Sequence, residues 1–223
     1  MNFNEKYENV VYIVVDVESN GSSVKKNSMF ALGCVAIEVV NKNVLGGFAF
    51  NVHELPNTSI ELRCWNEFWI KEIDMYDSLH KEQLDEKKVV SHIVDFINKI
   101  KDMGKQIMFA SDCSVYDWKW FDTAILNHVD ANPLGYTALD IYSYAAGMFK
   151  EPRHSVWKTI ENLKGTVLNV DDDIVHDHNP FNDALSEACL LVDLIRLNEQ
   201  QPVLKLTNNL KNKPFNECIF DTI

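Results

Sequence analysis

The sequence has no long apolar run and no basic segment at its start. None of its 223 residues lies in a stretch approaching the roughly 18 to 20 uncharged apolar residues that a membrane-spanning helix needs. The opening MNFNEKYENV carries acids where a signal peptide would carry basic residues. These absences predict a soluble, unexported protein that is cytoplasmic and has no membrane partner.

The sequence also lacks closely spaced pairs of cysteines. The five cysteines are Cys34, Cys64, Cys113, Cys189 and Cys218. Because their number is odd and none forms a CxxC pair, they predict neither a disulfide framework nor a zinc site. A reducing compartment fits this pattern.

The chain has fewer basic than acidic residues. The chain has 21 Lys and Arg against 33 Asp and Glu, which gives a formal net charge of −12. Nonspecific wrapping of duplex nucleic acid relies on a broad basic surface, so the composition argues against it. An enzyme acting on nucleic acid stays open, because bound Mg²⁺ or Mn²⁺ would offset a local cluster of acids. The basic residues near a cleft, which could contact phosphate or simply be solvated, are Lys25, Lys26, Arg153, His154 and Lys158.

The length and the 46% hydrophobic content predict one domain with a substantial core. We expect this domain to span residues 1–200. Residues 201–223 lose hydrophobic periodicity and predict a loosely attached C-terminal extension. There is no internal repeat and no low-complexity linker.

The order of apolar patterns predicts the fold class. Three strand-like runs with short links come first, at residues 9–18, 29–40 and 44–52. Helical patterns follow at residues 60–79 and 84–100. A short strand at 107–110 and a helix at 116–127 come next, and residues 138–147 suggest a second step from strand to helix. This order predicts an α/β protein with a mixed sheet, in which an antiparallel three-strand meander is followed by parallel strands and helices flank the sheet.

Two acids lie near the end of the first strand, in VVDVES. Asp16 and Glu18 are two residues apart, so on a strand their side chains leave the same face, roughly 6 to 7 Å apart. Two carboxylates on one face of a buried strand are costly unless a positive charge lies between them, and a metal ion is the simplest such charge. If the strand instead ends at Val15, both acids are exposed turn residues.

A third acid lies in VYDWKWF, at the start of the helix that follows the strand at residues 107–110. That strand follows a crossover helix and should lie parallel to the first strand, which brings Asp117 close to Asp16. Asp117 could also simply complement the helix dipole. Asp112 is nearer the strand end and competes for the same role, but it could cap the loop or the helix. We favour Asp117.

A histidine and a fourth acid lie in HDHNPFNDA. Asn179 is a good helix N-cap and Pro180 a good first helical residue, which places Asp183 one turn into a helix and His178 on the loop before it. This arrangement suits a metal ligand beside a general base. His176 lacks an acid at the matching spacing and is interpreted as a loop histidine.

Together these three segments resemble the DEDDh 3′-5′ exonucleases, a ribonuclease H-like group that includes ribonuclease T, oligoribonuclease and polymerase proofreading domains. The resemblance runs from about Val11 to Leu191. The intervening FALGCVAIE, RCWNEFW and NPLGYTALD also look like segments of small stand-alone bacterial and viral members. In place of the tyrosine of proofreading-type variants the chain has Asn179, which favours the histidine subgroup.

The resemblance implies a site and an activity. Asp16, Glu18, Asp117 and Asp183 would hold two Mg²⁺ or Mn²⁺ ions, and His178 would be the general base. The implied reaction is two-metal hydrolysis of single-stranded or frayed 3′ ends of DNA or RNA to nucleoside 5′-monophosphates. Many members are dimers, so a homodimer is an expectation. A nuclease that scavenges short oligonucleotides and a catalytically silent nucleic-acid-binding module remain alternatives.

The resemblance also implies substrate contacts, at Ser19, Met29, Phe30, Phe68, Trp69 and Asp112. Two of these depart from the usual family residues, since Ser19 replaces threonine and Asp112 replaces asparagine. Ser19 can still donate a hydrogen bond, whereas an acid at position 112 could alter metal affinity or substrate contact. The alternative for the four apolar side chains, Met29, Phe30, Phe68 and Trp69, is ordinary core packing, which is the more common role of such residues.

Overall fold

The computed structural model describes residues 1–169, 177–205 and 219–220. The described strands are β1 Val10–Ser19, β2 Met29–Glu38, β3 Asn43–Asn51, β4 Gln106–Ser111, β5 Ala138–Asp140 and β6 Ile219–Phe220. The described helices are α1 Phe3–Tyr7, α2 Leu62–Cys64, α3 Ile73–Leu79, α4 Glu86–Asp102, α5 Ser114–Leu126, α6 Ile141–Phe149, α7 Val156–Leu163 and α8 Pro180–Asn198. Within these ranges no helix is long and apolar enough to cross a membrane. His176 and most of the predicted extension at residues 201–223 lie outside the described residues.

The strands form one mixed sheet in the order β5-β4-β1-β2-β3-β6. β1, β2 and β3 make an antiparallel meander, and β4 and β5 add to the other side of β1 in parallel. The predicted α/β fold class is confirmed, including the place of β4 beside β1. Since Val14 pairs with Ala110, the carboxyl ends of these two strands lie together.

Strand β1 is the centre of the sheet and separates two parts of the core. Its β-branched side chains suit a strand that is covered on both faces. Ile13 and Val15 pack with the side chains of α4 and α5, whereas Tyr12 and Val14 pack with those of α8. Because side chains alternate along a strand, Asp16 and Glu18 continue the face of Val14, toward α8.

The start of α8 lies directly over the middle of the sheet. Its predicted cap is present, since the Asn179 side chain accepts hydrogen bonds from the main-chain N–H groups of Phe181 and Asn182, and Pro180 begins the helix. At Gly33 of β2 an added Cβ would lie 1.9 Å from the Pro180 carbonyl oxygen. Only glycine allows this approach. Because Gly33 pairs with Asp16, it brings the first turn of α8 over the acids of β1.

The sequence predicts a helix at residues 60–79, but the structure does not form one continuous helix there. The segment contains α2, a π-helical turn at Trp65–Trp69, a bend and then α3. The main-chain N–H of Ile70 donates to the Trp65 carbonyl at 3.0 Å, which is the i→i+5 bond of a π-helix. Trp69 is held there because its indole N–H donates to the Ser19 carbonyl at 3.0 Å. Helix α7 was not predicted from the sequence.

Candidate active site

Three separate segments meet at the carboxyl ends of β1 and β4. Glu18, His178 and Asp183 each offer an atom for metal binding, and these atoms lie within 4.8 Å of one another. The carboxylate of Asp16 is close enough to interact electrostatically with those of Glu18, Asp117 and Asp183, and the Glu18 carboxylate interacts in the same way with those of Asp117 and Asp183. The structure therefore brings together the five residues that the sequence predicts as catalytic.

We use the term acid cluster for the six carboxylates at this sheet edge: Asp16, Glu18, Asp112, Asp117, Asp183 and Glu187. Burial raises the pKa of both Asp16 and Glu18 well above the ordinary value, and repulsion from the neighbouring acids raises it further. Each carboxylate is removed from water and also faces others of the same charge. The acid cluster is thus an unfavourable place for negative charge unless cations bind there.

Asp117 lies in the first turn of α5 and is 3% exposed. Burial, followed by repulsion from Asp112, raises its pKa to about 8. Asp112 and Asp117, which the sequence offered as alternatives for one metal ligand, are therefore neighbours in the acid cluster. Asp112 begins the turn after β4, and its main-chain N–H donates to Glu187 Oε2 at 3.2 Å.

Helix α8 contributes two buried acids. Asp183 is 0% exposed, and its Oδ1 accepts a hydrogen bond from the main-chain N–H of Asp177 at 3.2 Å. Glu187 follows four residues later on the same helix face. Burial, followed by repulsion from Asp112, raises its pKa well above the ordinary value. Sequence reasoning missed Glu187, although its i+4 spacing from Asp183 within an apolar stretch was a readable signal.

His178 lies on the loop before α8, at the edge of the acid cluster. Its Nδ1 atom is 3.8 Å from Glu18 Oε1, and its ring meets the Phe68 ring edge to face, with centroids 4.7 Å apart. Its φ of +61° is in the left-handed region. That conformation costs a non-glycine residue about 1 kcal/mol and is typical of residues held at functional sites.

A cavity of about 290 Å³ opens beside Glu18. Its lining includes Ser19, Cys64, Phe68, Trp69 and Tyr116. Phe68 is half-buried, whereas Trp69 is fixed by its hydrogen bond to the Ser19 carbonyl. The Ser19 hydroxyl donates to the Gly21 carbonyl at 2.6 Å. Three of the predicted substrate residues, Ser19, Phe68 and Trp69, therefore line this cavity.

Met29 and Phe30 have a different setting. Both are buried; Met29 belongs to the core under α4 and α5, and Phe30 packs against the rings of Trp69 and Tyr76. The described lining of the cavity does not include them. Their role as substrate contacts stays a prediction, and packing accounts for their burial.

The donor set fits divalent cations. Asp16 Oδ2 and Asp117 Oδ2 are buried, and neither accepts a hydrogen bond from the described residues. Buried carboxylate oxygens normally have hydrogen-bond partners. Oxygen donors of this kind suit Mg²⁺ and Mn²⁺, so bound cations would both satisfy these atoms and relieve the repulsion.

Comparison with known proteins rests on the fold. No family model matches the sequence, and no curated protein matches it. The nuclease domain of 3′hExo, described as a DEDDh family member bound to rAMP, superposes with a TM-score of 0.64 at 15% identity, over 90% of this chain and 98% of that one. The chain therefore shares the fold of that nuclease domain. In this chain the acid cluster lies on β1, the turn between β4 and α5, α5 and α8.

Two further solved structures resemble this chain in fold. A 3′-exonuclease, in a structure of 3′-end specific recognition of a histone mRNA stem-loop, gives a TM-score of 0.58 at 15% identity, with 97% of this chain and 91% of that one covered. A full-length 3′-exonuclease gives 0.55 at 16% identity, with 88% and 62% covered. Neither supports the finer resemblance to bacterial and viral members.

Proposed function

We propose that this chain is a metal-dependent 3′-5′ exonuclease that hydrolyses single-stranded or frayed 3′ ends of DNA or RNA to nucleoside 5′-monophosphates. The observation that carries the proposal is the convergence of Glu18, His178 and Asp183 within 4.8 Å, next to Asp16 and Asp117. These side chains come from three remote segments of a DEDDh fold. Such an assembly has the components needed for phosphodiester hydrolysis.

Asp16, Glu18, Asp117 and Asp183 would hold two Mg²⁺ or Mn²⁺ ions. When bound, the cations would stabilise negative charge on the attacking and leaving oxygens of the phosphodiester. The four carboxylates supply the oxygen donors, and their burial keeps the ligands in place. The raised pKa values of Asp16, Glu18 and Asp117 mean that metal binding at these residues competes with protons.

His178 would accept the proton of the attacking water. Its position on a loop at the rim lets the imidazole face both the acid cluster and solvent, while Phe68 packs against the ring and limits its rotation. Glu18 Oε1, 3.8 Å from Nδ1, stabilises the imidazolium that forms after proton transfer.

The cavity beside Glu18 would receive the terminal nucleoside. Its volume of about 290 Å³ is at the lower end of small-molecule sites. The half-buried Phe68 offers an aromatic surface to the base, and aromatic contacts of this kind tolerate every base. A small cavity beside the acids favours a chain end over the middle of a strand.

Two observations support the polarity and the single-stranded form of the substrate. The likeness to 3′-exonucleases supports hydrolysis from the 3′ end, and the net charge of −12 favours a flexible single strand over extended duplex contact. The predicted homodimer and the predicted cytoplasmic location are part of the same proposal.

The test is digestion of DNA and RNA oligonucleotides of several lengths, labelled at the 3′ or the 5′ end, with Mn²⁺ present. The wild-type chain should release labelled nucleoside 5′-monophosphate first from 3′-labelled strands. His178→Ala should lower kcat by about 10²- to 10⁴-fold, the usual contribution of a general base. The matched control is His128→Ala, because His128 also pairs with a glutamate, its Nε2 lying 3.0 Å from Glu86 Oε1.

The control variant should digest at the wild-type rate. Products from dimers to pentamers alone would redefine the protein as a scavenger of short oligonucleotides. Absence of products from every strand would contradict the proposed hydrolysis and favour a nucleic-acid-binding module. Equal losses in His178→Ala and His128→Ala would remove the general-base assignment.

A further inference from the structure

The turn between β4 and α5 is held by three side chains that come from elsewhere in the chain. Glu187 of α8 accepts the main-chain N–H of Asp112 at 3.2 Å, and Arg153 Nη2 donates to the Asp112 carbonyl at 2.7 Å. Asp140 Oδ2 accepts the main-chain N–H of Ser114 at 3.2 Å. The N-cap residue of α5, Cys113, makes no side-chain cap hydrogen bond. The first turn of α5 therefore obtains its cap from Asp140, at the end of β5.

Asp140 and Arg153 form a paired unit. Arg153 Nε donates to Asp140 Oδ1 at 3.0 Å, and Arg153 Nη2 lies 3.2 Å from Oδ2. The same carboxylate caps α6, because Oδ1 accepts the Ser143 N–H at 2.7 Å. A forked guanidinium–carboxylate contact has a fixed geometry and is stronger than a neutral hydrogen bond. The pair therefore fixes the start of α5 relative to the start of α6.

We infer that Arg153 and Asp140 are positioning residues for Asp117. Asp117 lies in the first turn of α5, immediately after the turn that this pair holds. The hydrogen bond from the Asp112 N–H to Glu187 connects the same turn to α8, the helix that also contains Asp183. The pair thus sets the position of one carboxylate of the acid cluster against the others, without contacting substrate. This inference rests on the proposed function for the chemistry of the cluster.

The hydrogen bonds of Arg153 give it a role other than the phosphate contact that its sequence position permits. Its Nε and Nη2 groups donate to atoms of the chain itself, at Asp140 and Asp112. Side chains that orient metal ligands typically contribute 10- to 100-fold to metal affinity or activity. A phosphate-binding arginine instead contributes to substrate affinity in a salt-dependent way. The two roles therefore predict changes in different quantities.

The test compares Arg153→Ala and Arg153→Lys with wild type. Mn²⁺ binding to the whole chain is measured by electron paramagnetic resonance, and kcat and KM are measured on a labelled oligonucleotide. Lys105→Ala is the matched control, because Lys105 also bridges a carboxylate, Glu38 at 2.6 Å, and a main-chain carbonyl, Glu8 at 3.3 Å. That bridge lies at the opposite end of β1.

Arg153→Ala should weaken Mn²⁺ binding and lower kcat by about 10-fold each, with KM within about twofold of wild type. Arg153→Lys should recover part of both losses, and Lys105→Ala should match wild type. Asp140→Asn removes the charge of the ion pair while keeping an oxygen acceptor, so it should weaken Mn²⁺ binding in the same direction. If Arg153→Ala does not fold, Asp140→Asn and Arg153→Lys decide the question.

Wild-type Mn²⁺ affinity in all the Arg153 and Asp140 variants would overturn the inference. A salt-dependent rise in KM at constant kcat would also overturn it and make Arg153 a phosphate contact. If the wild-type chain does not bind Mn²⁺, the inference is wrong, because there is then no metal site for Arg153 and Asp140 to position. If the wild type binds Mn²⁺ but cleaves no oligonucleotide, the proposed function fails, while the Mn²⁺ comparison still decides the positioning role.

Discussion

Two regions of this molecule hold buried carboxylates with different kinds of neighbours. Asp193 of α8 and Lys42 of the β2–β3 turn are both fully buried and form an ion pair with Nζ 2.7 Å from Oδ1. Asp193 also accepts the Asn169 N–H at 2.8 Å. In the acid cluster, by contrast, the pKa of Asp16 and of Glu18 is raised by burial and then by other carboxylates.

The difference shows where the chain supplies its own cation. Burial raises the pKa of Asp193, and the Lys42 ammonium opposes that rise. Lys42 thus gives Asp193 a structural partner, which makes the pair part of the core. At the edge of β1 and β4 the oxygens Asp16 Oδ2 and Asp117 Oδ2 accept no hydrogen bond within the described part of the chain. The proposed function assigns these oxygens to cations that the acid cluster would bind from solution.

The largest expected effect is that of Asp16→Asn on activity. The change removes a central carboxylate while keeping its size, so kcat/KM should fall by at least about 10³-fold, equivalent to about 4 kcal/mol. The fold should be retained, because one source of repulsion is removed. Digestion of a 3′-labelled single strand measures the loss, and circular dichroism checks the fold. A variant that digests as fast as wild type would show that the acid cluster is not the catalytic site.

Lys42→Met should test the other region. It leaves Asp193 buried without its cation, which typically costs about 3 kcal/mol of unfolding free energy. Urea denaturation should show this loss, and added Mn²⁺ should not reverse it specifically. The double change Lys42→Met with Asp193→Leu should recover much of the stability, since no charge is then left buried. Full stability in the single variant would mean that the ion pair is not needed to neutralise Asp193.

A smaller effect is expected in the pH dependence of stability. Folded Asp117 has a pKa of about 8, against an ordinary value of 3.8, so between these values the folded state holds a proton that the unfolded state has lost. Stability therefore falls as pH rises from about 4 to about 8 when divalent cations are absent. Asp117→Asn lacks this loss, so its Tm relative to wild type should rise by at least about 5 °C between about pH 4 and about pH 8.

The measurement is thermal unfolding in chelator at several pH values. Excess Mn²⁺ should remove or reverse the gain, because wild type then has cations for Asp117 to bind. A difference in Tm between the two proteins that does not change with pH would contradict the assigned role of the Asp117 carboxyl.

The smallest expected effect is that of Phe68→Leu, at the rim of the acid cluster. Loss of the ring contact with His178 and of the aromatic surface for the base should lower kcat/KM by about 10-fold, which lies within the ranges of an aromatic pair and of a base–aromatic contact. Phe3→Leu is the control, because Phe3 packs against Tyr7 with centroids 5.1 Å apart, away from the site. An equal change in both variants would indicate a general effect of lost aromatic packing.

Local sequence patterns predicted much of the arrangement at the carboxyl ends of β1 and β4. The β-branched run of β1 and the crossover to β4 predicted that Asp16 and Asp117 would come together, and the structure pairs these strands in parallel. The sequence Asn179-Pro180 predicted the start of α8, and hence the turn carrying Asp183. These signals succeed because N-caps, strand periodicity and crossover handedness are local or nearly local rules.

Other parts depend on contacts between remote segments. The π-helical turn at Trp65–Trp69 interrupts a helical pattern, and the bond from the Trp69 indole to Ser19 holds it in place. The cap that Asp140 gives to α5 comes from a different strand, so no local pattern predicts it. Gly33 was visible as a glycine within a strand, but the approach of Pro180 that requires it was not.

The most direct test of the central claim is a Mn²⁺ titration, monitored by electron paramagnetic resonance, of wild type, Asp16→Asn and His128→Ala. If the acid cluster binds catalytic cations, wild type and His128→Ala should each bind about two Mn²⁺ ions per chain, and Asp16→Asn should lose at least one. No Mn²⁺ binding by wild type, or identical binding by all three proteins, would contradict the account.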